Sequence, residues 1–82
     1  PASGNSQIDF SVGASSSVSI QLFDVTGRRI KTIFNNDVQA GKHTAEFSGL
    51  DKFADGSYFY KMEVKQNNKI VFSETKRLMI VK

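Results

Sequence analysis

Apolar and polar residues alternate with a period of two along most of this 82-residue chain, the pattern of strands that bury one face. In QIDFSV, Ile8, Phe10 and Val12 share one face, and Asp9 and Ser11 the other. SVSIQLF repeats the pattern, with Val18, Ile20 and Leu22 inward and Ser19 and Gln21 outward. GASSS between them is loop by composition. DVTG, residues 24–27, reads as a turn: Gly27 can take positive φ and Asp24 can bond its own backbone. RRIKTIF resumes a strand, but Ile30 and Ile33 are out of phase, so a bulge or strand end is expected there. NNDVQAGK, residues 35–42, reads as a longer loop. KHTAEF places His43, Ala45 and Phe47 on one side and Thr44 and Glu46 on the other. SGLDKFADG is a loop closing on Gly56. SYFYKMEVK is the strongest strand, with Tyr58, Tyr60, Met62 and Val64 on one face and Phe59 opposite them with Lys61, Glu63 and Lys65. Asn67 and Asn68 tolerate the backbone of a tight hairpin. The run IVFSETKRLMIVK that follows is long, and Ser73, Glu74 and Thr75 are the natural place for a bend or bulge.

Six or seven short strands with frequent turn signals and no helical period predict an all-β sandwich or barrel. The one proline opens the chain and leaves every strand free to pair. Residues 1–7 are small and polar and read as a flexible linker, with one domain over residues 8–82. Phe47 and Tyr58 are expected to be buried, and Gly27 and Gly56 to sit at turns. Hydrophobic residues make up 39% and charged residues 23%, which is globular composition. The absence of cysteine excludes a disulfide framework and a thiolate metal site. No run approaches the ~18 apolar residues of a membrane helix. Pro1 opens the chain with no apolar stretch behind it, so it reads as a piece of something longer.

The net charge is +3. Much of it lies late, at Lys61, Lys65, Lys69, Lys76, Arg77 and Lys82 against Glu63 and Glu74. These charges are spaced along strands rather than clustered, so they read as a solvated face that discourages edge-to-edge aggregation. No nucleic-acid partner is expected.

The residues offer little catalytic chemistry. His43 is the one histidine, and it falls in phase with Ala45 and Phe47, as a packed residue would. No serine occupies a nucleophile elbow. Asp51 and Asp55 share a loop, but a calcium site needs more oxygen ligands at tighter alternation. The glycines stand singly at strand boundaries and form no phosphate cradle. No catalytic residue, metal site or cofactor is therefore expected. Aromatic residues could build a sugar-binding platform, and exposure of Phe53, Phe59 and Tyr60 decides that reading.

Taken in order, VSIQLFDVTGRRIKTI, AGKHTAEFSGL, ADGSYFYKMEV and KRLMIVK resemble the C-terminal sorting domain of the type IX (Por) secretion system of Bacteroidetes. That family runs a hydrophobic strand into a Tyr/Phe-Asp-x-x-Gly-Arg turn, matched here by Phe23 and Asp24 with Gly27 and Arg28. It follows with a Gly before an alternating strand, matched by Gly41 and His43. A Gly-x-Tyr-x-Tyr-[Lys/Arg] strand comes next, matched by Gly56, Tyr58 and Tyr60, and a Lys-rich apolar strand ends the protein. The family's opening Asn-Pro is replaced here by PASGNSQIDF. The resemblance covers about residues 8–82.

The resemblance implies an immunoglobulin-like antiparallel β-sandwich of about seven strands with no enzymatic activity. It implies a domain that follows an N-terminal cargo domain and directs it through the periplasm and across the outer membrane to the cell surface or medium. The implied partners are the translocon and the sortase, which often removes the domain. Recognition is expected to rest on Lys76, Arg77, Leu78, Met79, Ile80, Val81 and Lys82. Leu78 and Ile80 point one way there, and Met79 and Val81 the other, so one set can enter the core while the other meets solvent or a partner. An exposed apolar edge strand is also a template for pairing with a second copy. The alternative is an immunoglobulin-like spacer or dimerisation module of an extracellular enzyme, similar to the hook-capping domain of flagella.

Overall fold

The computed structural model describes residues 6–47, 49 and 52–81. Six strands appear in order: β1 (Ser6–Val12), β2 (Ser16–Phe23), β3 (Arg29–Val38), β4 (Gly41–Phe47), β5 (Gly56–Gln66) and β6 (Lys69–Ile80). They form two antiparallel sheets, one of order β3-β2-β5-β6 and one of order β1-β4. The two layers face each other as a sandwich across a shared core. β1 and β4 bring Val12, Ala45 and Phe47 to that core, while β2, β5 and β6 bring Val18, Ile20, Leu22, Met62, Val64 and Ile80.

The alternation in β2 is realised as read: Val18, Ile20 and Leu22 are buried, and they point from the central strand onto the small sheet. The out-of-phase isoleucines of β3 also find their cause. The β2–β3 register skips from Phe34 to Thr32 and again from Lys31 to Arg29. Ile33 and Ile30 are therefore the extra residues of two bulges, and both pack on the core. The β5–β6 hairpin closes through Asn67 (φ 53°) and Asn68 (φ 63°), the two left-handed residues a type I′ turn demands.

Three expectations need correction. Residues 35–42 are not a long loop: β3 runs to Val38 and β4 starts at Gly41, so only Gln39 and Ala40 connect them. Asn36 and Asp37 pair with Val18 and Ser17 instead, and the Asp37 carboxylate accepts a bond from the Ser17 hydroxyl at 2.7 Å. The last segment does not bend at Ser73, Glu74 and Thr75, which face Glu63, Met62 and Lys61 in continuous ladder. The irregularity falls earlier, where Val64 pairs with Phe72 but Lys65 with Ile70, leaving Val71 as the bulged residue. Because β6 runs unbroken through residues 73–75, the described strands number six rather than seven. Finally, Tyr58 is half-buried rather than buried; its ring packs beside Leu22, Phe47 and Ile80 while its hydroxyl donates to the Ala54 carbonyl at 2.6 Å. A phenol whose tip needs a partner settles at the core's edge.

Candidate functional site

The motif residues divide between turn-builders and one exposed strand face. Asp24 organises the β2–β3 turn. Its Oδ1 accepts from the Thr26 amide (2.9 Å), the Thr26 hydroxyl (2.6 Å) and the Arg28 amide (3.0 Å). Its Oδ2 meets the Arg28 Nε at 3.3 Å. The Gly27 amide donates to the Asp24 carbonyl, and the Asp24 amide to the Arg28 carbonyl, both at 3.0 Å. Gly27 stands at φ 89°, where a side chain would be strained. The Asp-x-x-Gly-Arg pattern is thus a self-contained turn, with every member of the motif engaged locally. Gly41 and Gly56, at φ 130° and 147°, open β4 and β5.

The Thr26 hydroxyl, then the Arg28 amide, hold the Asp24 carboxyl below its ordinary value of 3.8. A lowered folded-state value stabilises the fold above the ordinary carboxylate pKa and stops doing so as pH falls through the lowered one. Asp24→Asn keeps the shape and removes the charge. It is expected to lower the melting temperature at pH 6 by a few degrees, and the gap from the parent should be narrower at pH 3, below the ordinary value of 3.8, where the stabilisation from the lowered group is already fading. Thermal melts followed by circular dichroism at the two pH values check this.

Tyr60 faces inward from β5 and meets Phe47 edge-on at 5.9 Å. Phe53 and Phe59 are half-buried as well, Phe53 lying 6.2 Å from Tyr58. The three rings therefore present no common exposed platform. His43 is half-buried beside Phe10, and its Nε2 donates to the Gln39 carbonyl at 2.6 Å, the packed role its phase implied. Among the described residues no three His, Cys, Asp or Glu side chains gather where a metal could bind. Asp51 lies outside the described residues, and Asp55 is exposed.

The last strand separates its two faces. Ile80 is fully buried against Leu22 and Phe47, and Leu78 is half-buried at the same end. Met79 and Val81 are exposed, at 38% and 45% of their surface. Arg77 lies on the same outward face as Met79. Its Nη2 donates to the Ser57 hydroxyl at 2.8 Å, and that hydroxyl points at the Met79 sulfur at 3.2 Å. Lys76 turns inward, where its Nζ pairs with the Glu74 carboxylate at 3.0 Å. The Glu74 carboxylate, by hydrogen bond and by charge, raises the Lys76 pKa above its ordinary value. Lys82 lies outside the described residues.

The part of Ser57 in this cluster was not legible in sequence: it is 22 residues from Met79, and only the β5–β6 register sets the two face to face. β6 lines a groove of about 410 Å³, between the edge of β1 that faces away from β4 and the inward faces of β5 and β6, with Phe10, Met62, Val71 and Phe72 among its walls. It exists because the small sheet is two strands wide and the large one four.

These features define an all-β two-sheet domain whose motif residues build turns and whose last strand stays partly exposed. The family model of the secretion system C-terminal sorting domain matches residues 1–80, and the chain belongs to that family. The family is the C-terminal sorting signal of type IX secretion. It implies attachment to a cargo protein, interaction with secretion machinery, and export across the outer membrane to the cell surface or extracellular space. No curated protein matches the chain.

Proposed function

We propose that the outward face of β6 is what the secretion machinery reads in this chain. The observation that carries the reading is the division of the strand: Ile80 anchors it in the core while Arg77, Met79 and Val81 remain accessible on a sheet edge. An edge strand offers a partner a row of backbone donors and acceptors, and side-chain pockets then supply specificity. Lys76, Arg77 and Lys82 bracket the apolar residues and suit a receptor with an acidic rim. Leu78 and Ile80 hold the strand in place. Asp24, Gly27, Gly41, Gly56, Tyr58 and Tyr60 shape the scaffold and need touch nothing outside it. Transit through the periplasm and removal by a sortase complete the reading. The domain itself performs no chemistry, in keeping with a family whose members are typically non-enzymatic.

The test joins the 82-residue chain behind a signal peptide and a fluorescent reporter in a bacterium that carries the type IX system. The reporter is expected in the medium or on the surface, and in the periplasm when the translocon is deleted. Retention of the folded fusion in the periplasm of the intact strain would sink the proposal in favour of a structural spacer.

A further inference from the structure

The chain has two methionines, and the fold puts them in opposite settings. Met62 lies in the apolar core with Val18, Ile20 and Val64, and although it borders the groove beside β1 it is only 8% exposed. Met79 is 38% exposed on the outward face of β6. Two donors meet its sulfur. The Ser57 hydroxyl lies 3.2 Å from Sδ and the Arg77 Nη2 lies 3.6 Å from it, and the two donors are 2.8 Å apart. Both therefore stand on one side of the sulfur. A thioether is a weak acceptor, so a hydroxyl and a guanidinium aimed at it are under-used. An oxygen atom at the same place would take both bonds far better.

We infer that Met79 is a modification site, a thioether placed for oxidation to the sulfoxide by a peroxide, with the new oxygen received by Ser57 and Arg77. The step balances with hydrogen peroxide as the oxidant. A sulfur lone pair attacks the nearer peroxide oxygen, and the S–O bond forms as the O–O bond breaks. An electron pair passes from sulfur to the peroxide. The departing oxygen takes the proton of the transferred one and leaves as water. Negative charge develops on the peroxide oxygens during the transfer, beside the Arg77 guanidinium and the Ser57 hydroxyl, which stabilise it.

The product is polar and chiral at sulfur. Donors on one side of the sulfur favour delivery of oxygen on that side, and so favour one epimer. The change is confined to the outward face. Leu78 and Ile80, which tie the strand to the core, keep their contacts with Leu22 and Phe47. The face thus turns from apolar to polar in response to peroxide while the domain stays folded. The inference rests on side-chain geometry, and it stands whether or not that face is the one the secretion machinery reads.

Treatment of the purified 82-residue chain with hydrogen peroxide tests it. Trypsin puts the two methionines in separate peptides, because Lys61 precedes Met62 and Arg77 precedes Leu78 and Met79, so mass spectrometry reads each rate. Met79 is expected to oxidise roughly tenfold faster than Met62 in the folded chain, since access governs the rate, and at a similar rate in guanidinium. One Met79 epimer should predominate in the folded chain, as read by the two methionine sulfoxide reductases, each of which reduces one epimer. Ser57→Ala combined with Arg77→Gln removes both donors. That variant, verified as folded by circular dichroism, should oxidise at Met79 several-fold more slowly and give a more even epimer mixture. Equal rates at the two methionines of the folded chain, an even epimer mixture in the parent, or a doubly altered chain that oxidises like the parent would each overturn the inference.

Discussion

Phe47→Ala is expected to unfold this domain or bring it close to unfolding. Phe47 is the largest of the fully buried side chains, 2% exposed. It closes β4, in the two-stranded sheet, and packs against Leu22 and Ile80 of the four-stranded sheet. It is therefore a principal contact through which one layer holds the other. Removing a buried Phe side chain costs about 3–5 kcal/mol through lost transfer energy and the cavity left behind. A domain of this size has roughly 4–12 kcal/mol in all, and small domains bury a smaller fraction of their surface than large ones. The edge-on contact with Tyr60 is lost in addition. At roughly 4–8 °C per kcal/mol for domains of this size, the melting temperature should fall by well over ten degrees. Val25→Ala, at a side chain 67% exposed, should leave it nearly unchanged. A melt of Phe47→Ala within a few degrees of the parent would mean that the small sheet contributes little to holding the sandwich.

Much of the scaffold was legible because burial on one face leaves a period of two in the sequence. The inward faces of β2 and β5 were legible because the alternation in each is unbroken, although Tyr58 is half-buried rather than buried. The turn at Asp24 was legible because its chemistry is local, with every partner within four residues. The bulges of β3 could be sensed as a phase error at Ile30 and Ile33, although only the pairing with β2 places them. The bulge at Val71 could not be sensed, since Ile70, Val71 and Phe72 are all apolar and mask any change of phase. The extension of β3 to Val38 was hidden by Asn35, Asn36 and Asp37, which have turn-forming side chains. The ladder to β2 and the Ser17–Asp37 bond override that local preference.

The candidate site was half legible. Alternation separates Leu78 and Ile80 from Met79 and Val81 in the sequence, and the structure places Ile80 in the core and Met79 and Val81 in contact with solvent. What sequence could not show is how the outward face is built. Ser57 lies opposite Met79 only because Gly56 opens β5 in register with Ile80. The Ser57 hydroxyl then joins Arg77 and Met79 in one patch.

That patch makes the second large effect an effect on export rather than on stability. Arg77 and Met79 are exposed, so their replacement removes no core contact and should shift the melting temperature by only a few degrees. Binding energy at interfaces concentrates in a few anchors, with Arg prominent among them, and losing one commonly costs ~2 kcal/mol or more. A loss of that size lowers affinity by more than tenfold. The measurement to make is the partition of the reporter fusion between periplasm and medium for the parent and for Arg77→Glu combined with Met79→Ser, alongside the melt of each purified domain. A reading in which the outward face of β6 is the recognised surface predicts a folded variant retained in the periplasm, with export reduced roughly tenfold or more. Export of that variant at the parental level would contradict it and move the recognised surface elsewhere on the domain.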